Sequence, residues 1–91
     1  MFTQLGPNSA QSSNGFKVER TGRDHLKYSE GDRFIVIDVE PGDGLAIYTS
    51  SISTWSGGSE AEPVKQPEID RIIKNVCQAL DFLQTPYVVE Q

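Results

Sequence analysis

Cysteine and long apolar runs are scarce in this 91-residue chain. Cys77 is the single cysteine, so an intramolecular disulfide is excluded and a reducing, cytoplasmic setting is the simplest expectation. No segment has the roughly 18 consecutive apolar residues of a membrane span, and no basic stretch followed by an apolar run resembles a signal peptide. We therefore expect no membrane partner.

Positive charge is also in deficit. The chain holds 8 lysines and arginines against 13 aspartates and glutamates, so its formal net charge is -5 at pH 7. An acidic balance of this size argues against electrostatically driven binding to nucleic acid or to anionic lipid. It is compatible with a basic protein partner.

Motifs for catalysis or cofactor binding are missing as well. The chain has no phosphate-binding glycine loop, no dinucleotide fingerprint and no nucleophile elbow. His25 and Cys77 are candidates for a base and a nucleophile, but Cys77 lies beside an apolar helical stripe, which favours a core role. A calcium loop starting at Asp38 fails, because Asp43 and Thr49 occupy the positions that require glycine and glutamate. We predict a non-enzyme without metal or cofactor.

The first fifteen residues contain no charged side chain and no sustained apolar period, and serine, asparagine, glutamine and glycine dominate them. This composition is typical of a flexible segment, and packing of Phe2 and Leu5 onto the domain is the alternative. We therefore divide the chain into a flexible tail over residues 1–15 and a single domain over residues 16–91.

The clearest structural period lies near the other end of the chain. Apolar residues at i, i+3, i+4 and i+7 spacing over residues 67–83 predict an amphipathic helix. Pro67 suits the first helical position, and Thr85-Pro86 ends the helix near Gln84. The stripe contains Ile69, Ile72, Ile73, Val76, Leu80 and Leu83. Such a stripe needs an apolar surface to cover.

Alternating patterns predict strands over residues 16–20, 25–29, 33–40 and 45–50, and a short final strand over residues 87–89. Residues 33–40 carry apolar groups on both faces, which favours a central strand. Residues 51–55 fit a short fifth strand after a bulge or a helical turn, of which we prefer the strand. The predicted fold class is α+β: an antiparallel β-meander of about four to five strands covered by one C-terminal amphipathic helix.

Charge is unevenly distributed along the chain. Net charge is +2 over residues 1–29, -6 over residues 30–62 and -1 over residues 63–91. In an up-and-down meander, the turn after residue 40 and the connection after Trp55 share one end, and an acidic rim there would attract a basic ligand. An ordinary solvated edge is the alternative interpretation. The predicted partner-binding residues are Asp38, Glu40, Asp43, Tyr48, Trp55, Glu60 and Glu62.

Two stretches resemble a known family. The run EPGDGLAIYTSSISTW from Glu40, and IDRIIKNVCQALDFL from Ile69 after an acidic loop, resemble predicted immunity proteins of bacterial polymorphic toxin systems. The resemblance covers residues 28–89, although Ser56-Gly57-Gly58-Ser59 stands where the family has a more proline-rich loop. It implies a small cytoplasmic α+β protein that binds a cognate toxin and neutralises it by occlusion, without catalysis.

Two other functions fit the same residues. The carboxylates of Asp38, Glu40 and Asp43 would suit a small ligand-binding, metal-binding or enzymatic domain. An exposed sheet edge would suit a structural subunit that pairs with another copy of itself.

Overall fold

A computed structural model of the chain describes residues 2–57 and 62–90. These residues form an α+β fold in which one C-terminal helix lies on a mostly antiparallel sheet. No helix among them is both long enough and apolar enough to cross a membrane. In chain order the elements are β1 (Phe2–Gly6), β2 (Ser9–Ser12), β3 (Phe16–Arg20), β4 (His25–Glu30), β5 (Arg33–Glu40), β6 (Leu45–Tyr48), a 3-10 turn (Thr49–Ser51), β7 (Thr54–Gly57), β8 (Glu62–Pro63), α1 (Gln66–Phe82) and β9 (Tyr87–Glu90).

The main sheet has the order β1-β2-β3-β4-β5-β6-β9. Its first six strands are consecutive antiparallel neighbours, as a meander predicts. The short final strand is also present, and it pairs with β6 in parallel, with Leu45 beside Tyr87 and Tyr48 beside Glu90. Parallel neighbours need a long crossover. The segment that contains α1 supplies it.

The structure has more strands than the four to five predicted. Within the described residues there are nine, because β1 and β2 precede the predicted meander and β7 and β8 form a short hairpin beside β5. The α+β class is confirmed, and the strand count is corrected.

The prediction of a flexible tail over residues 1–15 is corrected too, because β1 and β2 extend the sheet. Ala10 is fully buried opposite Val18 of β3. The Phe2 ring lies between the rings of Phe16 and Phe82, with centroid distances of 5.6 and 5.3 Å. These strands lack the apolar alternation that usually identifies a strand in a sequence. They are held instead by backbone hydrogen bonds to their neighbours and by burial of the small side chain at residue 10.

Helix α1 covers one face of the sheet with the predicted stripe. Ile72, Val76 and Leu80 are buried, and the remaining members are partly buried against the same core. The helix begins at Gln66 and ends at Phe82, within two residues of the predicted bounds. Gln84 follows with a positive φ of 58°. Thr85-Pro86 then leads into β9.

The opposite side of the sheet, here called the outer face, is covered by no helix within the described residues. In β5 the core receives Ile35, Ile37 and Val39, whereas Val36 is 44% exposed. The apolar groups predicted on both faces of this strand therefore face a core on one side only. The outer face carries the side chains that alternate with the buried ones, among them Lys17, Glu19, Lys27, Phe34, Val36, Asp38, Glu40, Tyr48, Val88 and Glu90.

Both readings of residues 51–55 hold in part. A 3-10 turn over Thr49–Ser51 follows β6, and β7 then begins at Thr54. β6 pairs with the end of β5, at Val39 and Glu40, whereas β7 pairs with its start, at Arg33 and Phe34. β6 and β7 thus form one interrupted strand that runs antiparallel to β5 and pairs with its two ends.

Candidate functional site

The predicted acidic rim is not formed, because its members lie at opposite ends of β5. Glu62 approaches Arg33, with 3.9 Å between Oε2 and Nη1, at the start of the strand. Glu40 and Asp43 lie at its other end, about 23 Å away for an eight-residue strand. The reason is the direction of β7, which continues β6 instead of reversing it. Glu60 lies outside the described residues.

Trp55 does not serve as an exposed anchor. Its side chain is 1% exposed and lies inside the core, with its ring centroid 6.3 Å from that of Tyr28. The guanidinium of Arg33 covers the indole, 4.1 Å from the ring centroid. The prediction of an exposed anchor is wrong because β7 pairs Ser56 with Phe34 on the outer face, which puts residue 55 on the side of the pleat that faces α1.

The remaining acidic residues meet on the outer face. Asp38 and Glu40 project from β5, Tyr48 from β6 and Glu90 from β9. We call these four residues the acidic patch. Adjacent strands and a shared side of the pleat bring them together. Asp38, Glu40 and Tyr48 were predicted from the sequence, but Glu90 was missed, because only the parallel pairing of β9 with β6 places it there.

A hydrogen bond joins two members of the acidic patch. The hydroxyl of Tyr48 donates to Oε2 of Glu40 at 2.5 Å. This bond is the largest cause of a raised Tyr48 pKa, and the charges of Glu40 and Glu90 act in the same direction. Tyr48 therefore stays a neutral donor beside two carboxylates at physiological pH.

Positive charge near the patch is limited. Nε2 of His25 lies 3.6 Å from Oδ1 of Asp38, and the two side chains are 51% and 63% exposed. Glu90 makes no ion pair with any described residue, and neither does Asp43 in the exposed β5–β6 turn. The patch thus presents more negative than positive charge to solvent.

Exposed apolar side chains border the patch on both sides. Val36 precedes Asp38 by two residues on the same face of β5 and is 44% exposed. Val88 precedes Glu90 in the same way on β9 and is 52% exposed. These two valines are half of the large hydrophobic side chains that are exposed in the described residues; Leu5 and Phe82 are the others. Apolar groups beside unpaired charge are typical of a protein-binding surface.

A second charged cluster lies at the opposite end of β5, where it connects α1 to the sheet through hydrogen bonds and an ion pair. Nη2 of Arg71 donates to both carboxylate oxygens of Glu30, at 2.9 and 3.0 Å. Tyr28 donates to the same carboxylate at 2.5 Å, and Asn75 donates to the Tyr28 hydroxyl at 2.9 Å. Burial first, and then the bond to Glu30, raise the pKa of Tyr28. These groups satisfy one another, so we assign the cluster a structural role.

Catalytic and metal chemistry find little support in the described residues. His25 lies on the outer face, whereas Cys77 belongs to α1 on the other side of the sheet, so they form no nucleophile–base pair. Burial raises the pKa of the Cys77 thiol, which disfavours the reactive thiolate. No group of three or more histidine, cysteine, aspartate or glutamate side chains within the described residues is placed to hold a metal ion.

No protein-family model, curated protein or solved structure matches the chain. Function is therefore inferred from the acidic patch and its surroundings.

Proposed function

We propose that the chain is a non-catalytic binding protein of the immunity type, which neutralises a bacterial toxin domain by covering its functional surface. The observation that carries the proposal is the acidic patch, bordered by Val36 and Val88, on a sheet face that no helix of residues 2–57 and 62–90 covers. The resemblance of residues 28–89 to predicted immunity proteins supplies the class of partner. A cytoplasmic location belongs to the same proposal.

The partner surface that fits this patch is basic and partly apolar. Carboxylates at Asp38, Glu40 and Glu90 would pair with lysine or arginine side chains, and Tyr48 would contribute an aromatic contact with low conformational cost. Toxins that act on nucleic acid need basic surfaces to bind it. Covering such a surface requires only affinity and a complementary shape, so this mechanism needs no catalytic residues in the chain.

The test uses the protein encoded beside the gene for this chain as the toxin. Co-expression of the chain should restore growth to cells that produce the toxin, and titration calorimetry should detect a complex. In the double variant Asp38→Lys/Glu90→Lys, affinity should fall about tenfold or more, because like charges then face each other. Raised salt should weaken the unmodified complex, since exposed charges are screened.

The matched control is Asp32→Lys/Asp70→Lys. It changes net charge equally, and both aspartates are exposed and outside the acidic patch. This control should retain affinity and rescue. Equal losses in both double variants would assign the effect to net charge alone, and unchanged affinity in the patch variant would remove this surface from the interface.

A further inference from the structure

The outer face also carries a group of basic side chains, separate from the acidic patch. Lys17 projects from β3 and Lys27 from β4, and together with Ser29 they line an open groove of about 450 Å³. We call these three residues the basic patch. None of the described residues that line the groove is acidic. Glu19 lies beside it and pairs with Lys17 at 3.6 Å, so the second lysine leaves the basic patch with excess positive charge.

The ammonium group of Lys27 is held away from the acidic patch. Lys27 lies directly opposite Val36 of β5, so its diagonal neighbours on the outer face are Phe34 on one side and Asp38 on the other. Its Nζ lies over the Phe34 ring, 4.5 Å from the centroid. Lys27 makes no ion pair within the part of the chain that the structure describes. The cation–π contact thus keeps the lysine on the Phe34 side, and both opposite charges stay available to a partner.

Val36 separates the two patches with exposed apolar surface. It lies beside Lys27 across the β4–β5 ladder and two residues before Asp38 along β5, and it is 44% exposed. Neighbouring strands are about 4.8 Å apart, so Lys17 on β3 and Glu90 on β9 lie roughly 19 Å apart across the sheet. That span fits within a standard interface of about 800 Å² per partner. One partner can therefore cover a surface that changes from basic through apolar to acidic.

We propose that the basic patch is a second contact for the toxin and receives carboxylate side chains of it, while basic side chains of the toxin meet the acidic patch. This inference rests on the proposed function and extends the interface to β3 and β4. A partner with that charge order docks in one orientation, because rotation by a half-turn about the sheet normal would bring like charges together. Basic proteins that lack the carboxylates would place positive charge against Lys27 and would be rejected.

Titration calorimetry of the toxin with the variant Lys17→Glu/Lys27→Glu tests the proposal. The variant is more negative than the unmodified chain, so general attraction of a basic toxin would leave its affinity equal or higher. We expect affinity to fall about tenfold or more instead, because carboxylates would then face carboxylates. Lys65→Glu/Lys74→Glu is the matched control. It makes the same change in charge at two exposed lysines, one that precedes α1 and one within it, and should bind at least as tightly as the unmodified chain.

Carbodiimide cross-linking of the unmodified complex gives a second readout, since this reagent joins amines directly to carboxylates. Mass spectrometry should find links from Lys17 or Lys27 to aspartate or glutamate of the toxin, and none from Lys74. Links from Lys74 alone, or equal affinities of the two double-lysine variants, would overturn the proposal.

The same titrations separate this inference from the proposed function. If Asp38→Lys/Glu90→Lys weakens the complex and Lys17→Glu/Lys27→Glu does not, the second contact is overturned while the binding function stands. The absence of any complex with the unmodified chain would overturn both.

Discussion

Glu68 connects the first turn of α1 to the sheet beneath it. Its Oε1 accepts a hydrogen bond from the backbone N–H of Lys65 at 3.2 Å, and its Oε2 lies 3.7 Å from Nη2 of Arg33. The Lys65 bond is the largest cause of a lowered Glu68 pKa, and burial opposes it. The charges of Arg33 and Arg71 add to the lowering. One carboxylate thus supports the helix start and orients the guanidinium that covers the tryptophan.

The lowered pKa gives a prediction for Glu68→Gln. Because the folded-state pKa lies below the ordinary value of 4.5, ionised Glu68 stabilises the fold above that pH, and this contribution is lost as pH falls through the folded-state pKa. Thermal unfolding followed by circular dichroism should show a lower Tm for Glu68→Gln at neutral pH, by the equivalent of about 1 kcal/mol or less. The difference should shrink as pH falls through the folded-state pKa of Glu68 and vanish once that carboxylate is protonated.

Asp70→Asn is the matched control for that measurement. It removes the same charge two residues further along α1, where the one hydrogen bond of the Asp70 carboxylate with the described residues comes from the exposed Gln66 amide at 3.1 Å. Its Tm should stay close to that of the unmodified chain at all pH values. A Glu68→Gln deficit that persists unchanged into acid would show that lost packing, rather than ionisation, is responsible.

The interrupted strand formed by β6, the 3-10 turn and β7 determines which acidic residues lie near one another. At the interruption the backbone N–H of Asp38 has no ladder partner, and Oγ of Ser51 accepts its hydrogen bond at 2.9 Å. The same hydroxyl donates to the carbonyl of Tyr48 at 2.6 Å. A side chain thus replaces the ladder at the point where β6 leaves β5.

Ser51→Ala should therefore destabilise the chain by about 1 kcal/mol, the usual net contribution of one hydrogen bond, with the exposed position of Asp38 limiting the effect. Urea unfolding provides the free energy, and hydrogen exchange should show reduced protection at the Asp38 amide. Ser50→Ala is the control, because Ser50 is exposed in the same turn and makes no side-chain hydrogen bond with the described residues. Equal effects of the two alanines would argue that the turn, not the Ser51 hydroxyl, governs stability.

Elements with a strong period could be predicted from the sequence, whereas connections with weak local signals could not. The strand over Arg33–Glu40 and the helix stripe at Ile72, Val76 and Leu80 agree with prediction because burial imposes periods of 2 and 3.6 on their residues. The 3-10 turn has no such period. The Asn14-Gly15 dipeptide, in the turn between β2 and β3, is a sequence signal for a hairpin. Gly15 adopts a positive φ of 98°, which such a turn requires.

At the scale of the whole molecule, the direction of one strand determines which charges share a surface. A reversal after Trp55 would place Glu62 beside Glu40, whereas the observed continuation places it beside Arg33. The parallel addition of β9 then brings Glu90 to the outer face instead. The charge distribution along a sequence thus predicts that an acidic surface exists. Which residues form that surface depends on the strand topology, and local sequence patterns do not determine the topology.

The N-terminal hairpin shows the same dependence on tertiary context. Its serine- and glutamine-rich sequence is typical of a linker, yet Ala10 and Ser12 are buried and β2 contacts both β3 and α1. Removal of this hairpin would leave β3 as a terminal strand and would expose the Phe16 side of the core. The body of the protein therefore includes residues 2–12, which a division at residue 16 leaves out.

Ala10→Asp tests this conclusion directly. Ala10 has no exposed surface, so an aspartate there would bury an unpaired carboxylate, and we expect a loss of about 3 kcal/mol or more in the free energy of unfolding. Gln11→Asp introduces the same side chain one residue later, on the exposed face of β2, and should cost less than about 0.5 kcal/mol. If urea unfolding gave equal, small changes for both variants, the hairpin would behave as the flexible tail that its composition suggests. A large loss for Ala10→Asp alone would establish β2 as part of the folded core. In a flexible segment the two neighbouring positions would tolerate aspartate equally, whereas in a packed strand only the buried position would not.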